Sequence, residues 1–429
     1  MPIPGQAINH EVLSAESALS YRIEQKAQPV HWHRGIAPNR CNNKICAPEW
    51  RNNMSLHLLL APNALKGSLS ASQTAAAMRR GALAADPDIH IISRPMSDGG
   101  DGFLEVMAGQ FDARLIDAET TDPLGRAMTA QWGWVKHKQL GIIEMASASG
   151  MALLDPVQLN PMLASSEGTG KLLLAALDRG ARRVLLGLGG TATVDGGMGI
   201  SKALGARFLD DSGHCLASCG GNLGKIRRVD LSRVAGRLKH TVIDLITDVH
   251  NPLLGKNGAA RVFGPQKGAS LKQVQQLEDG LKNLADVIIA ATGRDMRDLP
   301  GAGAAGGTAG LMHALFGAHI RPGACYVAEL TGLEDAVKTA DLVITAEGRL
   351  DKQTSSGKAP AVVAEIARSH GVPCIAIVGD IGKDRVDQAL FTRTIQLRDK
   401  GMAVETAMRC AADLMEKLTQ QVIKEFQGT

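Results

Sequence analysis

Aromatic side chains are scarce. Phe, Trp and Tyr together make 3% of the 429 residues. An apolar fraction of 45% must therefore come mainly from Leu, Val, Ile and Ala, and that is enough for a sizeable core. Proline is also modest at 17, so a disordered low-complexity chain is excluded. No apolar run approaches the length of a membrane-crossing helix, so none is expected. Neither charge dominates: 47 basic against 43 acidic residues give +4, with no basic block and little aromatic interleaving. Nucleic acid and a membrane surface are therefore not expected partners. Cysteine is limited to 7, an odd number without a zinc-like double CxxC. Scattered thiols fit a reducing compartment, so a cytoplasmic location is expected. Glycine is in excess, 48 of 429 or about 11%, against a usual share of roughly 7%. It has no Gly-X-Y period, so collagen is excluded, and it must serve tight turns and close approaches of backbone.

The length suggests two or three domains. Residues 1–53 hold only Gly5 and Gly35, yet two of the four Trp, and no helix or strand period persists through them. They are expected to be a disordered or mis-started extension, with Met54 as the natural start. From there strand and helix alternate: a strand at Leu56–Leu60, a helix from a Ser70/Gln73 capping box to about Ala85, and a strand at His90–Arg94. A Pro123 turn then separates alternating runs at Ala113–Asp117 and Ala127–Val135. Those runs suggest antiparallel strands, as does Gly141–Met145. A helix over Ser166–Gly180 and strands at Arg183–Leu186 and Thr241–Thr247 follow. Ser270 with Gln273 caps a long helix towards Ala291. Helices near Thr308–Leu315, Leu333–Thr339 and Ala361–Ser369 follow, with strands at Leu342–Thr345 and Cys374–Val378. A last helix is expected over Ala403–Glu425. This order predicts an α/β parallel-sheet domain built from both ends of the chain, 54–112 plus 300–429. It is interrupted by a mixed α+β domain at 113–299, with a ligand cleft between the two.

Five loops combine glycine with charge, each after an expected strand or before an expected helix. Lys66 precedes a helix start, where a cation beside unpaired N–H groups suits phosphate or carboxylate. Asp98 and Asp101 lie in the turn Ser97–Gly102 and suit Mg²⁺ or a substrate hydroxyl. The run Gly187–Gly199 contains Gly189, Gly190, Thr191, Thr193 and a single charge, Asp195. Its backbone N–H groups are expected to face an anion. Asp248 leaves one strand, and Lys267 precedes the capped helix. Glu347 leaves another strand, followed by Arg349 and Lys358 as candidate phosphate contacts.

Repeated carboxylates and lysines at strand ends are what phosphoryl transfer requires: positioning, metal-held phosphates and charge neutralisation. There is no Walker A sequence; Ser165–Leu172 lacks its first Gly and its Ser/Thr. Gly187–Ala192 fits a dinucleotide fingerprint, with Asp210 and Asp211 about 20 residues on. Gly301–Gly306 fits another, but no strand precedes it. Spacing alone leaves a kinase, an NAD(P)-dependent oxidoreductase and a non-enzymatic ligand-binding protein open.

The strings Lys66-Gly67-Ser68-Leu69-Ser70-Ala71, Thr121-Asp122-Pro123-Leu124-Gly125 and Glu144-Met145-Ala146-Ser147-Ala148-Ser149-Gly150 are long and uncommon. So are Phe263-Gly264-Pro265-Gln266-Lys267-Gly268-Ala269 and Glu347-Gly348-Arg349-Leu350-Asp351. With the glycine loop around Asp195 and the segments Asn251–Gly255 and Pro300–Gly307, they resemble the bacterial glycerate kinase family from about Met54 onward. The resemblance implies a flavodoxin-like domain split by a restriction-endonuclease-like one. It also implies phosphorylation of glycerate by ATP with Mg²⁺, at the 2-hydroxyl, with the 3-hydroxyl as the alternative. A homo-oligomer is compatible with it. On that basis Asp195 is expected to orient or deprotonate the hydroxyl, so Asp195→Asn should cost turnover with little loss of fold. Asp248 and Glu347 are expected to hold Mg²⁺ or its water. Lys66 and Lys267 are expected to neutralise carboxylate and phosphate. The chain departs from the family pattern at Asn63-Ala64-Leu65, Val194 and Ala346.

Overall fold

The computed structural model describes residues 55–234, 236–350, 358–382, 390–398 and 401–428. The expectations for residues 1–53 and for Asp351 lie outside them. In chain order the strands are β1 (His57–Leu60), β2 (His90–Ser93), β3 (Arg114–Thr121), β4 (Ala127–Val135), β5 (Leu140–Glu144), β6 (Arg183–Gly187) and β7 (Arg207–Leu209). They continue as β8 (Arg228–Asp230), β9 (Val242–Thr247), β10 (His319–Pro322), β11 (Leu342–Leu350), β12 (Cys374–Ile381) and β13 (Arg393–Gln396).

The first sheet has the order β13-β12-β11-β1-β2, and every pair is parallel. Numbered along the chain within this sheet, that is 2-1-3-4-5, the flavodoxin-like order. Its strands come from both ends of the chain. Leu58–Leu60 and Leu342–Ala346 are buried on both faces, as central parallel strands require. Each such Leu or Ile contributes roughly 1.5–3 kcal/mol by leaving water. Edge strands β2 and β13 are short and only half-buried, which limits edge pairing.

The second sheet has the order β10-β9-β6-β5-β4-β3. Its four strands β10, β9, β6 and β5 are parallel, while β4 and β3 run antiparallel. The segment expected as an antiparallel strand at Gly141–Met145 is thus antiparallel to β4 only. On its other side β5 pairs parallel with β6, because a helix (Glu167–Asp178) carries the chain back between them. The sheet also takes β10 from His319–Pro322, past residue 299, where the sequence reading sets the edge of the insertion. Asp244 in β9 pins this addition. It accepts from Arg183 Nε (2.8 Å), Arg321 Nε (3.0 Å) and Tyr326 Oη (3.1 Å). Burial works to raise its proton affinity, but the arginines outweigh it and hold Asp244 below the usual carboxylate range.

Both capping boxes form, Ser70 with Gln73 and Ser270 with Gln273. The expected closing helix is instead two, Val404–Arg409 and Ala411–Gln427, broken at Cys410. The helix Ala411–Gln427 packs on Ala71–Ala85, and Gly81 lets the backbones approach: a Cβ there would overlap the Glu416 carbonyl.

Candidate active site

The charged loops leave the carboxyl ends of parallel strands in both sheets, where ligands bind in open α/β structures. After β1, Leu65 N–H donates to Leu69 O (2.9 Å) and Ser68 N–H to Leu65 O (2.8 Å). This tight turn, with Gly67 at φ +77°, leaves Lys66 exposed. Asn63 N–H donates to Ala346 O (2.9 Å), and Gly348 lies against the Lys66 backbone, so the Lys66 turn sits beside Glu347. The strand expected to stop at Thr345 runs on to Leu350. Glu347 and Arg349 are therefore strand residues and not loop residues, held by pairing with β12. Glu347 is buried and Arg349 exposed.

The Asp98–Asp101 loop follows β2. Met96 N–H donates to Pro62 O (2.9 Å), tying it to the Lys66 turn. Gly100 N–H donates to Asp98 Oδ1 (2.9 Å). The loop is fixed against the second sheet at several points. Gly189 N–H donates to Gly99 O (2.8 Å). The Asp101 carboxylate lies on Gly190, where a Cβ would overlap it. Phe103 packs its ring on Gly187, 2.6 Å from where a Cβ would stand. Finally, Glu144 at the end of β5 accepts from Gly102 N–H (3.2 Å) and Leu104 N–H (2.9 Å). It caps the helix Phe103–Phe111, whose own N-cap, Gly102, has no side chain to do so.

Asp248 follows β9. Its Oδ1 accepts from Ala324 N–H (3.1 Å), while its Oδ2 is buried without a hydrogen-bond partner. Gly323 touches both the Asp98 carbonyl and the Asp248 carboxylate. Burial, and then the charge of Asp98, push Asp248 up to about 7, against the opposing charge of Lys358.

The Gly187–Gly199 loop differs from expectation. Several of its amides are spent inside the protein: Leu188 N–H donates to Ile246 O, Gly189 N–H to Gly99 O, Ala192 N–H to Ser149 O and Gly196 N–H to Gly306 O. The glycines serve the close approach of other segments. Asp195 is wholly buried. Its Oδ1 accepts from Gly197 N–H (3.0 Å), and its Oδ2 from Ser166 N–H (2.8 Å), Ser166 Oγ (2.7 Å) and Gly199 N–H (3.1 Å). Burial raises its proton affinity in spite of these bonds. Lys267 is buried beside it and donates to Thr191 Oγ1 (3.0 Å) and Thr193 O (2.8 Å). Burial pulls its ammonium down to about 7, against the charge of Asp195. Thr193 Oγ1 is buried without a partner.

The structure thus joins Asp98, Asp101, Gly189, Gly190, Thr191, Thr193, Lys267 and Asp195 through contiguous contacts, with Asp248 and Lys358 on Asp98's side. Lys66, Glu347 and Arg349 gather at the end of the first sheet. Glu144 and Ser166 were not singled out as site residues. Glu144 had the signal that marked Asp248 and Glu347, a carboxylate closing an apolar strand. Ser166 offered none, because its partner Asp195 is 29 residues away. The Gly187–Ala192 fingerprint does not hold. The next helix, Met198–Ala203, begins well beyond it, so no helix N-terminus faces those glycines.

The glycerate kinase family model matches residues 58–427. The chain is 41% identical over 329 residues to the glycerate 2-kinase of Escherichia coli K12, covering 77% of this chain and 86% of that one. It is 38% identical over 369 residues to the glycerate kinase of Bacillus subtilis strain 168, covering 86% and 97%. Its fold matches a crystal structure of a Salmonella typhimurium LT2 protein described as a glycerate kinase 2. The TM-score is 0.78, with 36% identity, over 87% of this chain and 99% of that one. On sequence, fold and the strand-end loops together, the chain belongs to the glycerate kinase family.

Proposed function

We propose that the protein transfers a phosphoryl group from ATP to glycerate, at the 2-hydroxyl. One observation supports it most: the Asp98–Asp248 carboxylate pair at strand ends, with a buried, unpartnered Asp248 Oδ2 and Lys358 close enough to act on its charge. Two carboxylates are what Mg²⁺ takes from a protein when phosphates and water complete its shell. Among the described residues no group of three or more ligand-type side chains is arranged for a metal, which such a site does not need. Asp248 and Asp98 would hold the ion, and Glu347 a water on it. When bound, Mg²⁺ neutralises and orients the phosphate oxygens.

Lys66, exposed on its turn, is assigned to the glycerate carboxylate. Arg349 and Lys358 are assigned to phosphate oxygens. Phosphoryl transfer has a loose transition state, so the hydroxyl proton leaves late and needs no strong base. Asp195 has both oxygens committed inside the protein, so we assign it to holding the Gly187–Gly199 loop and not to taking that proton. Lys267 braces the same loop through Thr191 and Thr193.

The test is a coupled assay. ADP should form only with glycerate and Mg²⁺ both present, and enolase should consume the product directly. A requirement for a mutase before enolase would move the reaction to the 3-hydroxyl. Saturable NAD(P) binding would favour the oxidoreductase reading instead.

A further inference from the structure

At the opposite end of the second sheet from the glycine loop, a pocket of about 570 Å³ is lined by Asp112, Arg114, Trp134, Lys136, His137 and Arg179. Arg114 opens β3 and pairs across it with Trp134, near the end of β4; Lys136 and His137 begin the connection to β5. Arg114, Lys136 and Arg179 are exposed, and among the described residues none has an acidic partner within ion-pair distance. Three cations face a single carboxylate, Asp112. A concave surface with this net positive lining attracts anions, and two guanidiniums favour a forked oxygen acceptor. The volume is that of a small-molecule site.

Three elements run from this pocket to the candidate active site. The helix Phe103–Phe111 ends at Asp112 and starts beside the Asp98–Asp101 loop. Strand β5 starts just after Lys136–Lys138 and ends at Glu144, which caps that same helix. The helix Glu167–Asp178 ends at Arg179 and starts at Ser166, which holds Asp195. Their lengths put the two places roughly 13–18 Å apart. We infer that this pocket binds a small phosphate-bearing anion that regulates the enzyme.

The full-length protein would be titrated calorimetrically with pyrophosphate, with glycerate and a non-hydrolysable ATP analogue present at saturation. One binding event per chain is expected, quenching or shifting Trp134 fluorescence and weakened at least tenfold in the double variant Arg114→Gln/Arg179→Gln. That readout does not depend on glycerate turnover. The same anion should change the wild-type KM or kcat at least twofold and leave the double variant, otherwise of normal activity, unaffected. Parallel titrations with inorganic phosphate and 2-phosphoglycerate separate a general phosphate signal from product feedback. No binding event, or one that survives in a folded double variant, overturns the site. Binding without a kinetic effect overturns its regulatory role.

Discussion

Glu144 Oε2 accepts the Leu104 amide at 2.9 Å, so a carboxylate ending a strand of one sheet caps a helix that follows the other. Removing it leaves two helix-start N–H groups unpaired. Glu144→Ala should cost about 2–3 kcal/mol in chemical denaturation. Because the anchored loop carries Asp98 and Asp101, kcat should fall by more than tenfold under conditions where the variant is still folded. Glu144→Gln, which keeps one acceptor, should recover part of both. Unchanged kcat in Glu144→Ala would refute the coupling.

The contact between Asp101 and Gly190 gives a second expectation. Gly190 has φ +70° and no room for a Cβ. Gly190→Ala should displace Asp101 and lower kcat/KM by at least tenfold. Gly180→Ala, also left-handed (φ +93°) but facing open space, should cost only about 1 kcal/mol and leave kinetics alone.

Asp248 gives a pH dependence. Its proton affinity is raised by folding, to about 7 from 3.8. Its contribution to stability is therefore full below about 3.8 and lost as pH rises through about 7. Between pH 5 and 8 the wild type should lose stability relative to Asp248→Asn, by a few kcal/mol at most. Added Mg²⁺ at pH 8 should restore the wild-type Tm and leave the variant unmoved. Parallel pH profiles of the two proteins without metal would count against the burial argument.

Asp195→Asn is the fourth case. The sequence reading expects a loss of turnover with the fold intact. The structure alters that: an amide NH₂ in place of either oxygen would face backbone donors in a buried site. We expect a loss of about 2–4 kcal/mol together with the loss of activity. A normal Tm with kcat reduced by orders of magnitude would return Asp195 to the reacting atoms.

Much of the first sheet was legible because its central strands are continuous apolar runs and its first helix carries a capping box. Strand β10 was not, because His319–Pro322 offers one apolar side chain among two basic ones and a proline. It is held by Asp244, a partner 77 residues from Arg321. The break at Cys410 was hidden because helical periodicity continues through it. For the site, strand-end carboxylates were readable as a class, but their division of labour was not. Whether Asp195 faces a substrate or Ser166 depends on a contact between distant segments. Glycine in the Gly187–Gly199 run signalled close approach correctly, but its neighbour is mainly protein.

The first sheet has a consequence for how the chain is made. Thr345 Oγ1 donates to Ala61 O across 284 residues, and β1 lies directly beside β11. As the chain leaves the ribosome, β1 and β2 must wait, with one long side of β1 unpaired, until most of the protein has been synthesised. The second sheet is complete by Pro322 and can assemble first. Long-range parallel pairing is slow and exposes unpaired edges. Pulse-labelled hydrogen exchange should therefore find the amides of β5, β6 and β9 protected before those of β1 and β11.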